Sequence, residues 1–115
     1  MAMRNNGGER MEIEKCFSEL EAKYGEDFCW LRIDPEQNNF VTEAYREIKE
    51  GHPLHGMQLT CLAKCESNDD VLYLTEYEQF VVIHLTYSRN NASGFPRYKI
   101  LDTHHDLKIY LEQNI

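Results

Sequence analysis

The sequence predicts an α+β fold in which two N-terminal helices precede a four-stranded antiparallel meander and a C-terminal helix follows it. Three observations carry that prediction. The segment 80–87, Phe-Val-Val-Ile-His-Leu-Thr-Tyr, is mostly β-branched and aromatic; alternation puts Phe80, Val82, His84 and Thr86 on one face and Val81, Ile83, Leu85 and Tyr87 on the other. Both faces are then largely apolar, as in a central strand covered on two sides. The hydrophobic period is helical before Gly51 and alternating after Gly56. The polar stretches between the alternating segments are hairpin-sized, and helices and strands that segregate along a chain in this way pack as two layers.

Residues 1–8, ending Asn5-Asn6-Gly7-Gly8, are polar and glycine-rich and read as a disordered tail ahead of a single domain over 9–115. Over 11–24, Ile13, Cys16, Phe17, Leu20 and Tyr24 recur at helical spacing, and Gly25 stands where a left-handed cap ends a helix. Residues 28–33 form a short apolar stretch, strand or extended linker, that carries the only tryptophan, Trp30. Asp34-Pro35-Glu36 has the chemistry of a helix start: a capping carboxylate, a proline that needs no N–H partner, and an acid near the positive dipole end. The helix that follows has an apolar stripe of Phe40, Val41, Ala44, Tyr45 and Ile48 and a solvent face of Glu43, Arg46, Glu47, Lys49 and Glu50. Gly51 and Pro53 end it. Strands are expected at 57–64, with Met57, Leu59, Cys61 and Ala63 on one face, and at 71–75, 80–88 and 97–101. Residues 66–70 and 76–79 are tight links, and 89–96 is a longer loop. Asp102 or Thr103 caps the last helix, whose apolar side is Leu107, Tyr110, Leu111 and Ile115.

A chain of 115 residues suffices for one domain with one core. Its 12 Lys and Arg against 20 Asp and Glu give a net charge of −8, which repels nucleic-acid phosphates and anionic membranes and favours a basic protein partner. No stretch reaches the ~18–20 consecutive apolar residues of a membrane span, and residues 1–12 lack the apolar region of a secretory signal, so a cytoplasmic location is expected. Four residues of strand at ~3.3 Å each would separate Cys61 from Cys65 by about 13 Å, beyond the ~7 Å limit for a disulfide. Small buried thiols are therefore expected of Cys16, Cys29, Cys61 and Cys65. The Asn91-Ala92-Ser93 sequon matters only in a secreted protein.

The order of Gly51-His52-Pro53-Leu54, Asn68-Asp69-Asp70-Val71-Leu72-Tyr73, Val81-Val82-Ile83-His84-Leu85-Thr86-Tyr87 and Phe95-Pro96 resembles a small family of uncharacterised bacterial proteins. The resemblance spans Gly51 to about Leu101 and implies a self-contained α+β domain of bacterial cytoplasmic type, with no activity to carry over.

His52 and His55 lie in a loop, 51–56, that itself supplies no carboxylate, so no metal and no cofactor are expected; His52 is expected to serve the last carbonyls of the second helix. An imidazole in mid-strand needs a partner, and Thr86 is the same-face candidate for His84. The catalytic alternative makes His84 a general acid/base in a pocket over the sheet, helped by His104 or His105 and by Asp102 or Asp106. His104 and His105 otherwise read as a solvated helix start whose rings diverge, and the sequence marks no histidine or cation positioned to activate Cys16, Cys29, Cys61 or Cys65. No nucleophile elbow, phosphate-binding glycine loop or zinc-protease motif is present in the sequence.

Between Glu66 and Gln79 there are five carboxylates, Glu66, Asp69, Asp70, Glu76 and Glu78, and no Lys or Arg. The leading expectation is accordingly a non-enzymatic binding module, of inhibitor or immunity type, that recognises a basic protein. Asp69, Asp70, Glu76 and Glu78 steer it, and Tyr73 or Tyr77 anchors it. The alternative is a small hydrolase or other acid/base enzyme built on His84. Either is compatible with a homodimer formed through the second apolar face of the 80–87 strand.

Overall fold

The chain runs α1 (Asn6–Tyr24), a 3-10 turn (Gly25–Asp27), β1 (Trp30–Arg32), α2 (Asn39–Glu47), β2 (Leu59–Cys65), β3 (Asp70–Thr75), β4 (Phe80–His84), β5 (Arg97–Leu101) and α3 (His104–Gln113). This computed structural model describes residues 6–34, 36–89, 91–92 and 94–113, with side chains from Ile13 onward. Residues 1–5 of the expected tail, Pro35 of the expected helix start, Ser93 of the sequon and Ile115 of the last stripe lie outside the described residues. Among the described residues the fold is α+β, with three α-helices and one antiparallel sheet of five strands in the order β1-β2-β3-β4-β5. Four strands are predicted; the stretch 28–33 supplies the fifth as β1, in register with β2 through Trp30↔Cys65 and Arg32↔Ala63.

The chain divides into two compact units, Met1–Cys29 with Asp102–Ile115, and Trp30–Leu101. In the first, α1 starts at Asn6, ahead of the apolar periodicity, and Gly25 leaves it in the left-handed conformation at φ 56°. Phe17 and Phe28 meet edge to face with centroids 5.9 Å apart, and Tyr24 Oη donates to Glu112 Oε2 at 3.0 Å, tying α1 to α3. Thr103 Oγ1 accepts the Asp106 N–H at 3.0 Å, so Thr103 is the cap of α3.

In the second unit, the expected helix start at 34–36 is a turn. Asp34 Oδ1 accepts the Glu36 N–H at 3.0 Å, and the Asp34 carbonyl accepts the Gln37 N–H at 2.9 Å. A side chain bonded to backbone two residues ahead competes with helix, and α2 begins only at Asn39. The helix ends at Glu47, before Gly51, as Ile48 takes an extended ψ of 102°.

The expected single face of β2 is split by a bulge. Cys61 pairs with Tyr73, but Ala63 pairs with Leu72, so Leu62 is the extra residue. Leu59 and Cys61 consequently share the face of Val71, Tyr73, Val81 and Ile83, whereas Ala63 and Cys65 share the opposite face with Leu72 and Trp30. All four alternating β2 residues remain buried, on two faces rather than one.

The central strand is β3, not the 80–88 segment. Its residues Val71, Leu72 and Tyr73 are fully buried, and the helix α2 covers one face: Ala44 and Ile48 cluster with Leu54, Leu59, Cys61, Val71, Tyr73, Val81, Ile83 and Leu85. Tyr73 Oη donates to the Phe40 carbonyl at 2.8 Å, and the Leu59 N–H donates to Tyr45 Oη at 2.8 Å, which fixes both ends of α2 on the sheet. Phe80 and Val82 on the other face are buried too.

The cysteines are all thiols, with Cys61 and Cys65 buried and Cys16 and Cys29 partly exposed. Burial, against one backbone hydrogen bond from Ala63, pushes the Cys61 thiol up to about 12. We expect an aromatic disulfide reagent at about pH 8 to label Cys29 and Cys16 well before Cys61 and Cys65 in the native protein, and all four at once in denaturant. Mass mapping of early adducts checks this; first modification at Cys61 would contradict the placement of β2.

Candidate functional site

Glu47, expected on the solvent face of α2, is 1 % exposed and is the residue around which the candidate site is built. It is the last residue of the helix, where the dipole disfavours an anion. Its carboxylate is held by donors from one distant segment and, within α2, by the Glu43 side chain. Oε1 accepts the Thr86 N–H at 2.8 Å and the Asn91 amide at 3.4 Å, and Oε2 accepts the Tyr87 N–H at 2.9 Å. The Thr86 hydroxyl lies 2.9 Å from Oε1 and 2.7 Å from Asn91 Oδ1, sharing one proton between two acceptors, while it accepts the Ser88 N–H. Burial raises the Glu47 carboxyl, but the Glu43 side chain and the Thr86 and Tyr87 donors outweigh it and hold the group below its ordinary range.

These bonds explain why β4 stops early. The Leu85 N–H still reaches the Asp69 carbonyl at 3.1 Å, but the next two N–H groups turn to Glu47, so the strand ends at His84 rather than Ser88. Tyr87 takes a left-handed φ of 57°, an uncommon conformation for an aromatic residue. Its ring stands 49 % exposed. Partial burial, then the carboxylates of Asp69, Glu43 and Glu47, raise its hydroxyl above the ordinary tyrosine range, so it remains a donor in an acidic field.

A second brace comes from His52. Nδ1 accepts the Leu54 N–H at 3.1 Å, which leaves Nε2 to carry the proton and donate to the Pro96 carbonyl at 2.9 Å. Its role is thus to tie the 51–56 loop to the end of the 85–96 loop, not to cap α2. Between the two braces lies a cleft of about 380 Å³, lined by Glu47, Glu50, His52, Asn91 and Phe95 among others. His55 lines a different cleft, with Tyr45, Ile48 and Met57. The site is therefore an irregular loop held from two sides, displaying Tyr87 among carboxylates and Phe95 beneath the Arg97 guanidinium, 5.2 Å from its ring centroid.

The other predicted residues are dispersed. Tyr73 is fully buried and bonded to Phe40, so it is a core residue and not an anchor. Asp69 and Asp70 lie at the start of β3 beside the loop, whereas Glu76, Tyr77 and Glu78 lie in the link at its other end. Glu76 Oε1 accepts the Gln58 N–H at 3.0 Å, and Tyr77 is 68 % exposed. His84 is at the strand end with 52 % of its side chain exposed, and its partner is Asp70, whose Oδ1 is 2.8 Å from Nδ1, rather than Thr86. The Thr86 hydroxyl points to Glu47 instead. In the first unit His104 and His105 line one cavity with Lys15, Cys16, Glu19 and Lys108, so that a thiol does stand among histidines and cations. Burial nevertheless raises the Cys16 thiol, Lys108 opposing it only in part. Among the described residues no group of three or more His, Cys, Asp or Glu is disposed to hold a metal ion, and no helix is long and apolar enough to cross a membrane.

Comparison of the chain with family models, with curated proteins and with solved structures finds no match.

Hydrogen bonds to a charged group contribute about 1.5–3 kcal/mol each, so we expect Glu47→Ala to cost about 3–5 kcal/mol and Glu47→Gln about 1–2 kcal/mol. Urea titration followed by emission of Trp30, which is 2 % exposed, measures both. The folded-state value of Glu47 lies below the ordinary 4.5, so its contribution is complete above that value and lost as pH falls through the folded one. The gap in urea midpoint between wild type and Glu47→Gln should be constant from about pH 8 to about pH 5 and shrink below about pH 4. A gap that persists to about pH 2.5 would show that the carboxylate is not the source of the stability.

Proposed function

We propose that this chain is a non-enzymatic protein-binding module of the inhibitor or immunity type, acting in the cytoplasm, which recognises a basic partner through the loop held by Glu47. The observation that supports this most is Tyr87: a half-exposed aromatic ring in a left-handed backbone conformation, its N–H bonded to a buried carboxylate and its hydroxyl in the field of Asp69 and Glu43. Strained residues persist where their surroundings over-determine them, and a rigid aromatic projected among carboxylates suits a lysine- or arginine-rich surface. A loop ordered before contact loses less entropy on binding. Net charge of −8 adds long-range attraction for such a partner. Of the predicted acids, Asp69 and Asp70 belong to this surface, and Tyr87 takes the part expected of Tyr73.

The second reading, an acid/base enzyme, has one observation in its favour: the His84 Nδ1 to Asp70 Oδ1 contact of 2.8 Å orients the ring and leaves Nε2 for proton transfer. The exposure of that side chain favours a surface pair instead.

A pull-down from a lysate of the encoding organism separates these readings. The immobilised chain should retain a basic protein whose capture weakens with salt. Asp69→Lys with Tyr87→Ala should reduce capture at least about tenfold, while Glu76→Lys with Glu78→Lys, at the far end of β3, and His84→Ala leave it within about threefold. Loss with the far-end pair and retention by the loop pair would place recognition elsewhere.

A further inference from the structure

Among the described residues the sheet ends at β5, Arg97–Leu101, which pairs with β4 on one side and has no strand on the other. Arg97, Tyr98, Lys99 and Ile100 are all exposed. Register with β4 separates them by chemistry. Tyr98 and Ile100 stand opposite Ile83 and Val81 on the α2 face, each 38 % exposed, and Arg97 and Lys99 stand opposite His84 and Val82 on the other face. A sheet edge presents backbone donors and acceptors to any extended segment that reaches it. Here that edge carries two cations and no acid, within a chain of net charge −8.

The charges also bear on which segment fits. A second copy pairing antiparallel about Tyr98 sets Arg97 against Lys99, and pairing about Lys99 sets that residue against itself; like charges directly opposed are destabilising. In those two registers the edge is blunted toward its own kind, while the same cations are complementary to a strand with acids on one face. We propose that β5 is a strand-addition site for an extended acidic segment of another protein, whose acids alternate with apolar residues. The acids meet Arg97 and Lys99, and the apolar side chains extend the face of Tyr98 and Ile100. This inference rests on the sheet edge and does not require the recognition proposed for Tyr87.

The test titrates the full chain with three short capped peptides: one alternating Glu with Val, one alternating Lys with Val, and the Glu peptide with a central Pro. Amide hydrogen exchange of residues 97–101 is the readout. The Glu peptide at millimolar concentration should slow these amides by about tenfold, and the Lys and Pro peptides by less than about twofold. Lys99→Glu, and separately Arg97→Glu in case one variant folds poorly, should weaken the Glu peptide's effect and strengthen that of the Lys peptide. No slowing by the Glu peptide, equal slowing by the Lys or Pro peptide, or protection that rises with protein concentration in the absence of peptide would each overturn the proposal, the last by making a second copy the occupant.

Discussion

A carboxylate at the C-terminal end of a helix faces the negative pole of the helix dipole, and one removed from water loses its hydration as well. Glu47 carries both costs and offsets them by drawing on the backbone of a segment about forty residues away: the Thr86 and Tyr87 N–H groups, the Thr86 hydroxyl and the Asn91 amide. Much of the second unit follows from that exchange. β4 ends where its N–H groups turn to Glu47, the chain passes through a left-handed Tyr87, and Thr86, Tyr87 and Asn91 are bonded to the end of α2. His52 holds the other end of the loop at Pro96. An irregular segment gains in this way an order that sheets and helices obtain from their own ladders.

The architecture was legible in the sequence wherever a local period carried it. The stripe of Phe40, Val41, Ala44 and Ile48 faces the sheet, the alternation of β3 and β4 is real, and the short polar links are hairpins. Two of the departures share a cause: each depends on a partner remote in sequence. A glutamate among Glu43, Arg46 and Lys49 has the local signature of a solvent face, and only the fold brings donors to it. The bulge at Leu62 shifts the faces of β2 while leaving its alternating burial intact, so the pattern Leu59, Cys61, Ala63 and Cys65 is the same whether the strand is regular or bulged. Asp34 makes a turn rather than a cap, since the same side-chain bond serves either.

The candidate site was legible only in part. A histidine within an apolar run draws attention as a buried group, yet His84 lies at the strand's end, exposed and paired with Asp70. The acidic stretch from Glu66 to Glu78 is continuous in sequence but divided by the length of β3, and Tyr73 within it is committed to the core. Tyr87 carried no distinguishing signal, because its left-handed backbone is imposed by Glu47 and not by a turn motif. Charge was the part of the proposed function that composition could convey. The surface proposed to use it emerges only when Asp69, Glu43 and Tyr87 come together.

The central claim is that one buried carboxylate orders the segment after β4, and native-state hydrogen exchange at the Thr86 and Tyr87 amides tests it most directly. These amides belong to no strand. If Glu47 holds them, they exchange nearly as slowly as their neighbours in β4, and Glu47→Gln accelerates Tyr87 or Thr86 while the β3 amides keep their protection. Exchange of both amides at the rate of an open loop in the wild-type protein would contradict the account.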